Sequence, residues 1–221
     1  MMDQRERVRR YLLFLIGLAV NALGVAFISR AALGTSPLSS LAFVLSLSTP
    51  LTLGTYTVLF NTVFLIGEAL VRRTFTLSQA IQLPFTVLFS GCIDLFMWLI
   101  PTQLNGPYPM KVLYLVVGCL LLSLGISFEV FGGVVMLPGE ALVRAVSQRW
   151  NIPFHRVKVV FDSAITVLAA LLALKVFGRL NGVKEGTVVA ALVVGQLVKM
   201  YSRLLGPSME RFCTVGASHT V

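Results

Sequence analysis

The amino-acid sequence predicts an all-α integral membrane protein of two inverted repeats, each with three transmembrane helices and one short re-entrant or interfacial helix. Three observations lead to this prediction. Apolar residues make up 57% of the 221 residues and charged residues only 12%, about half the charged fraction of a typical soluble domain. Six apolar stretches are long enough to cross a bilayer. The two halves of the chain also share a pattern of glycine, proline and polar residues.

The apolar stretches define the predicted helices. A bilayer core of about 30 Å requires about 20 apolar residues in helical form. Six stretches qualify: Tyr11–Arg30, Leu53–Val71, Gln79–Ile100, Lys111–Phe131, Val157–Phe177 and Glu185–Leu205. Two shorter stretches, Pro37–Thr49 and Pro138–Trp150, follow the first and the fourth. A helix of about 13 residues extends only about 20 Å, so we expect these two to be re-entrant or interfacial helices, each begun by its proline.

The second half of the chain resembles the first at a constant spacing. A shift of 101 positions aligns five pairs of distinctive residues: Gly17 with Gly118, Gly24 with Gly125, Pro37 with Pro138, Phe60 with Phe161, and Asn61 with Asp162. A small insertion near Asn181 then brings Gly91 over Gly195. Such self-similarity indicates an internal duplication. Because each copy has three spans, the second copy must enter the membrane from the opposite side, which gives inverted repeats.

Charge distribution predicts the orientation and the boundaries. With the N-terminus inside, thirteen of the eighteen basic residues lie on or near the cytoplasmic side, as the positive-inside rule requires. The predicted regions are a basic cytoplasmic tail (1–10), the first membrane repeat (11–100), an external linker (101–110), the second repeat (111–205) and a cytoplasmic tail (206–221). Both termini are therefore expected in the cytoplasm.

Several classes of function are disfavoured by composition and motifs. The formal charge of +9 does not indicate a nucleic-acid-binding protein, because the basic residues are spread between apolar runs rather than gathered on one face. They suit anchors beside lipid headgroups, so the bilayer is the predicted partner. The three cysteines and two histidines lack metal-ligand spacing, and no cofactor or metal is expected. No HExxH or GxSxG motif is present, so an enzyme is not expected.

Charged residues inside the spans are candidates for ion coupling, because a charge in the bilayer core costs about 2.5–3.5 kcal/mol on insertion scales. Glu129 lies near the end of the fourth span, Glu140 in the first turn of the second short helix, and Asp162 within the fifth span. Glu129 and Asp162 are expected to lie deep. Each carboxylate either couples proton or cation movement or is a structural partner. Asn61, the repeat equivalent of Asp162, is a candidate for solute binding.

The start of the first short helix is a candidate anion or carboxylate site. A helix start offers unpaired N–H groups and the positive end of the helix dipole. In Gly34-Thr35-Ser36-Pro37, Ser36 is expected to cap the helix, Pro37 to open it, and Gly34 to allow close backbone approach. Arg30 lies one turn away, which suits an anionic group. The alternative is that this turn only caps a short helix.

Other polar and small residues in the spans have structural interpretations. Three charged residues are expected near the interfaces, in surface ion pairs or with extended side chains: Glu68, Asp94 and Lys199. Three amides are expected to join helices by hydrogen bonds: Asn21, Gln82 and Gln196. Glycines recur every seven residues in two spans, at Gly17 and Gly24 and at Gly118 and Gly125. Small residues at this spacing indicate close helix packing.

Three strings of the sequence resemble the YczE/YitT group of bacterial membrane proteins: GLAVNALGVAFISRAALGTSPLSSL, LTLGTYTVLFNTVFLIGEALVRR and SGCIDLF. The most specific parts are Leu33-Gly34-Thr35-Ser36-Pro37 and Ile93-Asp94-Leu95-Phe96, and the resemblance extends over nearly the whole chain. It implies a multi-pass protein of the bacterial plasma (inner) membrane. It implies no particular substrate.

The leading functional hypothesis is a small-solute secondary transporter that works by alternating access, with proton or cation coupling. Inverted repeats with interrupted helices at equivalent positions are the sequence pattern of such transporters. The alternative is a non-transporting membrane scaffold or regulatory partner, whose function would survive neutralisation of the buried carboxylates. A small molecule or ion is the expected substrate, and a homo-oligomer is compatible with the sequence.

Overall fold

The computed structural model describes residues 4–214 of the chain, with the side chains of residues 4–209. Within this range the regular structure is eight α-helices: α1 (Gln4–Arg30), α2 (Ser40–Ser48), α3 (Leu53–Arg72), α4 (Leu77–Leu99), α5 (Tyr108–Gly132), α6 (Pro138–Trp150), α7 (Phe154–Phe177) and α8 (Glu185–Thr214). Six of these are long and apolar enough to cross a membrane, and α2 and α6 are not among them. The predicted all-α architecture, with six helices long and apolar enough to cross a membrane, is therefore confirmed.

The predicted tails are partly helical. α1 begins at Gln4, inside the predicted tail 1–10, and α8 continues past residue 205 to Thr214. The rest of these two tails, residues 1–3 and 215–221, lies outside the described residues.

Helices α1 and α5 cross at the centre of the bundle through four glycines. A Cβ added to Gly17 would lie 2.9 Å from the carbonyl oxygen of Gly125, and one added to Gly118 would lie 3.1 Å from the carbonyl oxygen of Gly24. These positions have no room for a side chain, so the two backbones approach closely. The interpretation of the paired glycines as packing positions is confirmed.

The core surrounds α1, and the last two helices lie at the periphery. Phe14, Leu18 and Ile28 of α1 are fully buried, with a T-shaped contact between Phe14 and Phe85 of α4. Of the 18 most apolar consecutive residues of each helix, 61% are buried in α1, but only 17% in α7 and 6% in α8. α7 and α8 therefore present many exposed apolar side chains, as is expected of helices that face lipid.

Contacts near the helix ends show that the long helices alternate in direction. The N–H of Gln103, just before α5, bonds the carbonyl of Arg30 at the end of α1 (2.8 Å). The N–H of Gly186, at the start of α8, bonds the carbonyl of Leu33 (2.8 Å). Gly132, at the end of α5, packs instead against the carbonyl of Arg10. Consequently the chain leaves α1 and α5 at opposite ends of the bundle, and α2 and α6 are entered from those opposite ends.

The first short helix begins later than predicted, whereas the second has the predicted bounds. α6 runs from Pro138 to Trp150, but α2 begins at Ser40, and its N-cap residue Ser39 makes no side-chain capping bond. The preceding residues form tight turns, with the N–H of Ser39 bonded to the carbonyl of Ser36 (3.1 Å). Ser36 therefore does not cap the helix, and Pro37 does not open it, because these turns come first.

Candidate functional site

A buried carboxylate lies where α1 and α5 cross. Glu129 is 9% exposed, and its Oε1 accepts a 2.8 Å hydrogen bond from Nδ2 of Asn21 on α1. Among the described residues no cation pairs with Glu129. The prediction that Glu129 lies deep is confirmed, as is the prediction that Asn21 joins two helices.

Glu140 is close enough to the other two coupling candidates, Glu129 and Asp162, for electrostatic interaction with both. It is half-buried in the first turn of α6. Asp162 is less deep than predicted: its side chain is 23% exposed and forms an ion pair with Lys158, one turn away on α7 (3.2 Å). The helix turns this face toward the bundle surface, where Lys158 is available. The three carboxylates are therefore neighbours, but within the described residues they form no metal-binding group.

The starts of the two short helices meet. A Cβ added to Gly139, at the start of α6, would lie 3.1 Å from both methyl groups of Leu38, which precedes α2. It would also lie 3.5 Å from the ring of Phe64 on α3, which in turn packs against Phe161 of α7 (ring centroids 5.3 Å apart). Leu38 and Gly139 are equivalent under the 101-residue shift. The two short helices thus approach each other from opposite ends of the bundle.

The start of α8 packs against the turn from Gly34 to Ser36. The N–H of Thr35 donates to Oγ1 of Thr187 (3.1 Å), and the hydroxyl groups of Thr35 and Ser29 are 2.8 Å apart. Gly34 has φ +118°, and a Cβ there would collide with Thr187. At least one N–H group of the predicted anion site is therefore already bonded within the protein. The role of Gly34, Thr35 and Ser36 in solute binding stays a prediction.

Two cationic side chains near this turn donate hydrogen bonds to backbone carbonyl groups. The guanidinium of Arg30 donates to the carbonyl of Met97 near the end of α4, and its buried Nε has no partner. Nζ of Lys184 donates to the carbonyl of Ala32 (3.1 Å). Cations commonly bond the free carbonyls at helix ends. Arg30 is therefore directed at α4 and makes no bond to the Gly34–Ser36 turn.

Two carboxylates tie α3 to α4, one at each end of their contact. Glu68 is 3% exposed and accepts bonds from Arg72 (2.8 Å) and from Nε2 of Gln82 (3.1 Å). At the other end, Asp94 accepts bonds from Oγ1 of Thr52 and the N–H of Gly54, both 2.7 Å. The prediction for Glu68 is an interfacial position, in a surface ion pair or with an extended side chain. An ion pair is present, with Arg72, but Glu68 is buried, so the predicted depth is wrong. Gln82 joins two helices as predicted.

A row of polar side chains extends along α4 from its first turn, where Oε1 of Gln79 accepts from the N–H of Thr76 (2.7 Å), past the Glu68–Gln82 bond toward Asp94. Most of this row was missed from the sequence. Gln79, Gln82, Thr86 and Ser90 are between 0% and 3% exposed. Each has one hydrogen-bonding atom without a partner, namely Nε2, Oε1, Oγ1 and Oγ in that order. Their spacing of three, four and four residues places them on one helix face. That spacing within an apolar span is the signal that could have identified them.

Asn61 faces this row. It is 7% exposed and lies seven residues from both Gly54 and Glu68, the two α3 residues that contact α4 at its ends. Seven residues are about two helical turns, so Asn61 shares their face. Among the described residues it has no hydrogen-bond partner. Of the predicted solute-binding residues, Asn61 is thus the one on the α3 face that meets α4.

The chain belongs to a family of unknown function. The model of Family of unknown function (DUF6198) matches residues 8–203, which is most of the chain. No curated protein and no solved structure matches it. The match does not name the YczE/YitT group, so that resemblance stays a prediction.

Proposed function

We propose that this member of a family of unknown function is a small-solute secondary transporter that works by alternating access between two inverted repeats. The observation that supports this most strongly is the reciprocity of contacts between the two halves. Proton or cation coupling through the buried carboxylates is part of the proposal, as is a location in the bacterial plasma membrane with both termini inside.

Contacts at the α1–α5 crossing come in equivalent pairs. Gly17 lies against Gly125, and Gly24, the equivalent of Gly125, lies against Gly118, the equivalent of Gly17. In a two-fold interface, residue i of one part contacts residue j of the other, and j contacts i. The glycine contacts follow this rule, which favours a two-fold relation between the halves.

Helix contacts follow the same rule. α1 packs on α4 as α5 packs on α8, α2 packs on α7 as α6 packs on α3, and α2 packs on α3 as α6 packs on α7. An odd number of spans in each half makes the two-fold axis lie in the membrane plane. Transporters of this kind bind solute near the midplane, between the repeats and beside interrupted helices. The meeting of Leu38 and Gly139 is the corresponding place here.

Glu129 is the best candidate for coupling. A buried carboxylate with only a neutral amide partner is costly while charged, so a bound proton or cation would remove that cost. Rocking of one repeat against the other would change the water access of the α1–α5 crossing, and with it the affinity for that ion. Glu140 and Asp162, its neighbours, are assigned to the same ion pathway.

Uptake into proteoliposomes tests the proposal. A thermal-shift screen of metabolites and ions first identifies a ligand, because a ligand at 100 times its Kd stabilises the native state by about 2.7 kcal/mol. We expect an imposed proton or cation gradient to drive uptake of that ligand. Glu129→Gln keeps the size of the side chain and an oxygen for Asn21, and it should abolish the response to the gradient.

Glu185→Gln is the matched control, since Glu185 is exposed at the start of α8 and far from the crossing in sequence. It should leave the gradient response unchanged. If Glu129→Gln folds and responds like the wild type, Glu129 has no part in coupling. If no stabilising ligand is taken up at all, the scaffold alternative replaces the transporter.

A further inference from the structure

We propose that the contact between α3 and α4 is the closed form of a path for a small, uncharged, hydrogen-bonding solute. The path belongs to the transporter proposed above, and assigning it names both the helix pair that opens and the chemical class of the solute. Its walls are the polar row of α4 (Gln79, Gln82, Thr86 and Ser90) and Asn61 of α3.

The unpartnered atoms are the first observation. Buried polar groups in proteins nearly always have hydrogen-bond partners, yet four consecutive polar residues on one face of α4 each leave an atom unbonded. From Gln79 to Ser90 they extend about 16 Å along the helix, about half of a bilayer core. In lipid no water is present to satisfy such groups. A row of this length therefore indicates a face that meets polar molecules when α4 moves.

An open cavity at one end of the row is the second observation. A cavity of about 500 Å³ lies between the α3–α4 turn and α6, and Glu68, Arg72, Thr76 and Arg149 are among its lining residues. Glu68 also accepts the bond from Gln82, the second residue of the polar row. The cavity and the row thus meet at one carboxylate. Breaking the bond between Glu68 and Gln82 would connect the cavity to the row.

The second half of the chain provides the third observation. α8 packs on α5 as α4 packs on α1, but over the described residues α7 and α8 make no contact comparable to that of α3 and α4. Alternating access moves one repeat relative to the other. The separated α7–α8 pair is therefore the arrangement that α3 and α4 would adopt in the opposite state.

The chemistry of the walls determines the class of solute. Between Glu68 and Asp94 the facing side chains offer amides and hydroxyls, which donate and accept hydrogen bonds, and no charge. An ion would lose its hydration there without a counter-charge. A small neutral molecule with hydroxyl or amide groups would be matched at each helical turn. We therefore assign the path to polyols, amides or similar uncharged solutes.

Thiol accessibility tests whether the contact opens. The three native cysteines are replaced by alanine, and Thr86→Cys or Ser90→Cys is added in the full chain in proteoliposomes. The probe is a small, uncharged, water-soluble thiol reagent, added on both sides of the membrane. A minor open state is commonly populated at roughly 0.1–10%, so both cysteines should react roughly 10- to 1000-fold more slowly than Thr74→Cys in the exposed turn.

Ala190→Cys is the buried control, because Ala190 is the repeat equivalent of Thr86 and is 0% exposed. It should not react on the same timescale. If Thr86→Cys and Ser90→Cys react no faster than Ala190→Cys while their melting temperatures match the parent protein, the path does not exist. Reaction at both positions without solute uptake would overturn transport and leave the opening contact established. Solute uptake without reaction at either position would overturn the opening contact and leave transport established.

Two matched pairs of probes test the class of solute. Acetamide and acetate have similar shapes and differ in charge, as do urea and guanidinium. We expect acetamide and urea to slow the reaction of Ser90→Cys measurably. Acetate and guanidinium should leave its rate unchanged. Slowing by the charged member of either pair, or by none of the four, overturns the assignment to uncharged solutes.

Discussion

Helices α3 and α4 of the first half and helices α7 and α8 of the second half occupy equivalent places in the repeat and pack differently. α3 and α4 are tied by Glu68 and Asp94. Their counterparts under the repeat alignment are Ala169 and Val198, which make no hydrogen bonds through their side chains. Apolar helices in lipid have no hydrophobic reason to associate, so small residues and polar bonds decide which helices touch. The comparison teaches that the helix pair in contact is the one that carries both carboxylate ties.

Both halves share the central crossing, and breaking it should have the largest effect. In Gly118→Val the new side chain would begin 2.6 Å from Cγ1 of Ile28, and overpacking of a tight contact costs about 1–3 kcal/mol or more. We expect little folded protein in fluorescence-detected size-exclusion chromatography. Gly195→Val is the control, because nothing lies within 4 Å of a Cβ there. Equal profiles for both variants would show that the crossing does not hold the halves together.

Removing one of the two carboxylate ties should weaken the association of α3 with α4. Asp94→Ala leaves the hydroxyl of Thr52 and the N–H of Gly54 without their acceptor, and hydrogen bonds to charged groups are worth about 1.5–3 kcal/mol. We therefore expect a clear fall in melting temperature in detergent or nanodiscs. Thr52→Ser, which keeps a hydroxyl to donate to Asp94 and to accept from the N–H of Thr55, should cause a smaller fall. An unchanged melting temperature for Asp94→Ala would mean that α3 and α4 associate without this tie.

The stability of the second half should depend more on the bond between Thr187 and Thr35, in the turn after α1, than on contact between α7 and α8. Thr187→Val keeps the shape of the side chain and leaves the buried N–H of Thr35 without an acceptor. A lost neutral hydrogen bond costs about 1 kcal/mol, so the melting temperature should fall by less than in Asp94→Ala. Thr187→Ser, which retains a hydroxyl, should restore most of the stability. A Thr187→Ser variant as unstable as Thr187→Val would assign the loss to the methyl group instead.

The smallest effect is expected at Asp162. Its ion-pair partner Lys158 lies one turn away on the same helix and both side chains are partly exposed (23% and 26%). Such i,i+4 pairs contribute about 0.3–0.5 kcal/mol. Asp162→Asn should therefore leave the melting temperature almost unchanged, in contrast to Asp94→Ala. A large loss of stability would show that Asp162 ties α7 to another helix after all.

The sequence by itself determined the six long apolar helices, because a span needs about 20 apolar residues and each stretch could be counted. It also identified the four glycines of the crossing, since close backbone approach tolerates only very small residues. Asn21 and Gln82 were recognised as helix-joining amides for a similar reason: a polar group in an apolar span needs a partner. These requirements are local, so they hold whichever part of the chain supplies the neighbouring residues.

Only the tertiary structure decided which partner each group found. Thr35 bonds Thr187, which is 152 residues away, and Arg30 bonds the end of α4 rather than the neighbouring turn. The spacing of Gln79, Gln82, Thr86 and Ser90 specifies one polar face of α4, but it does not say which helix covers that face. That choice depends on the packing of separate helices against one another, and the energies that determine it come from contacts between residues far apart in the chain.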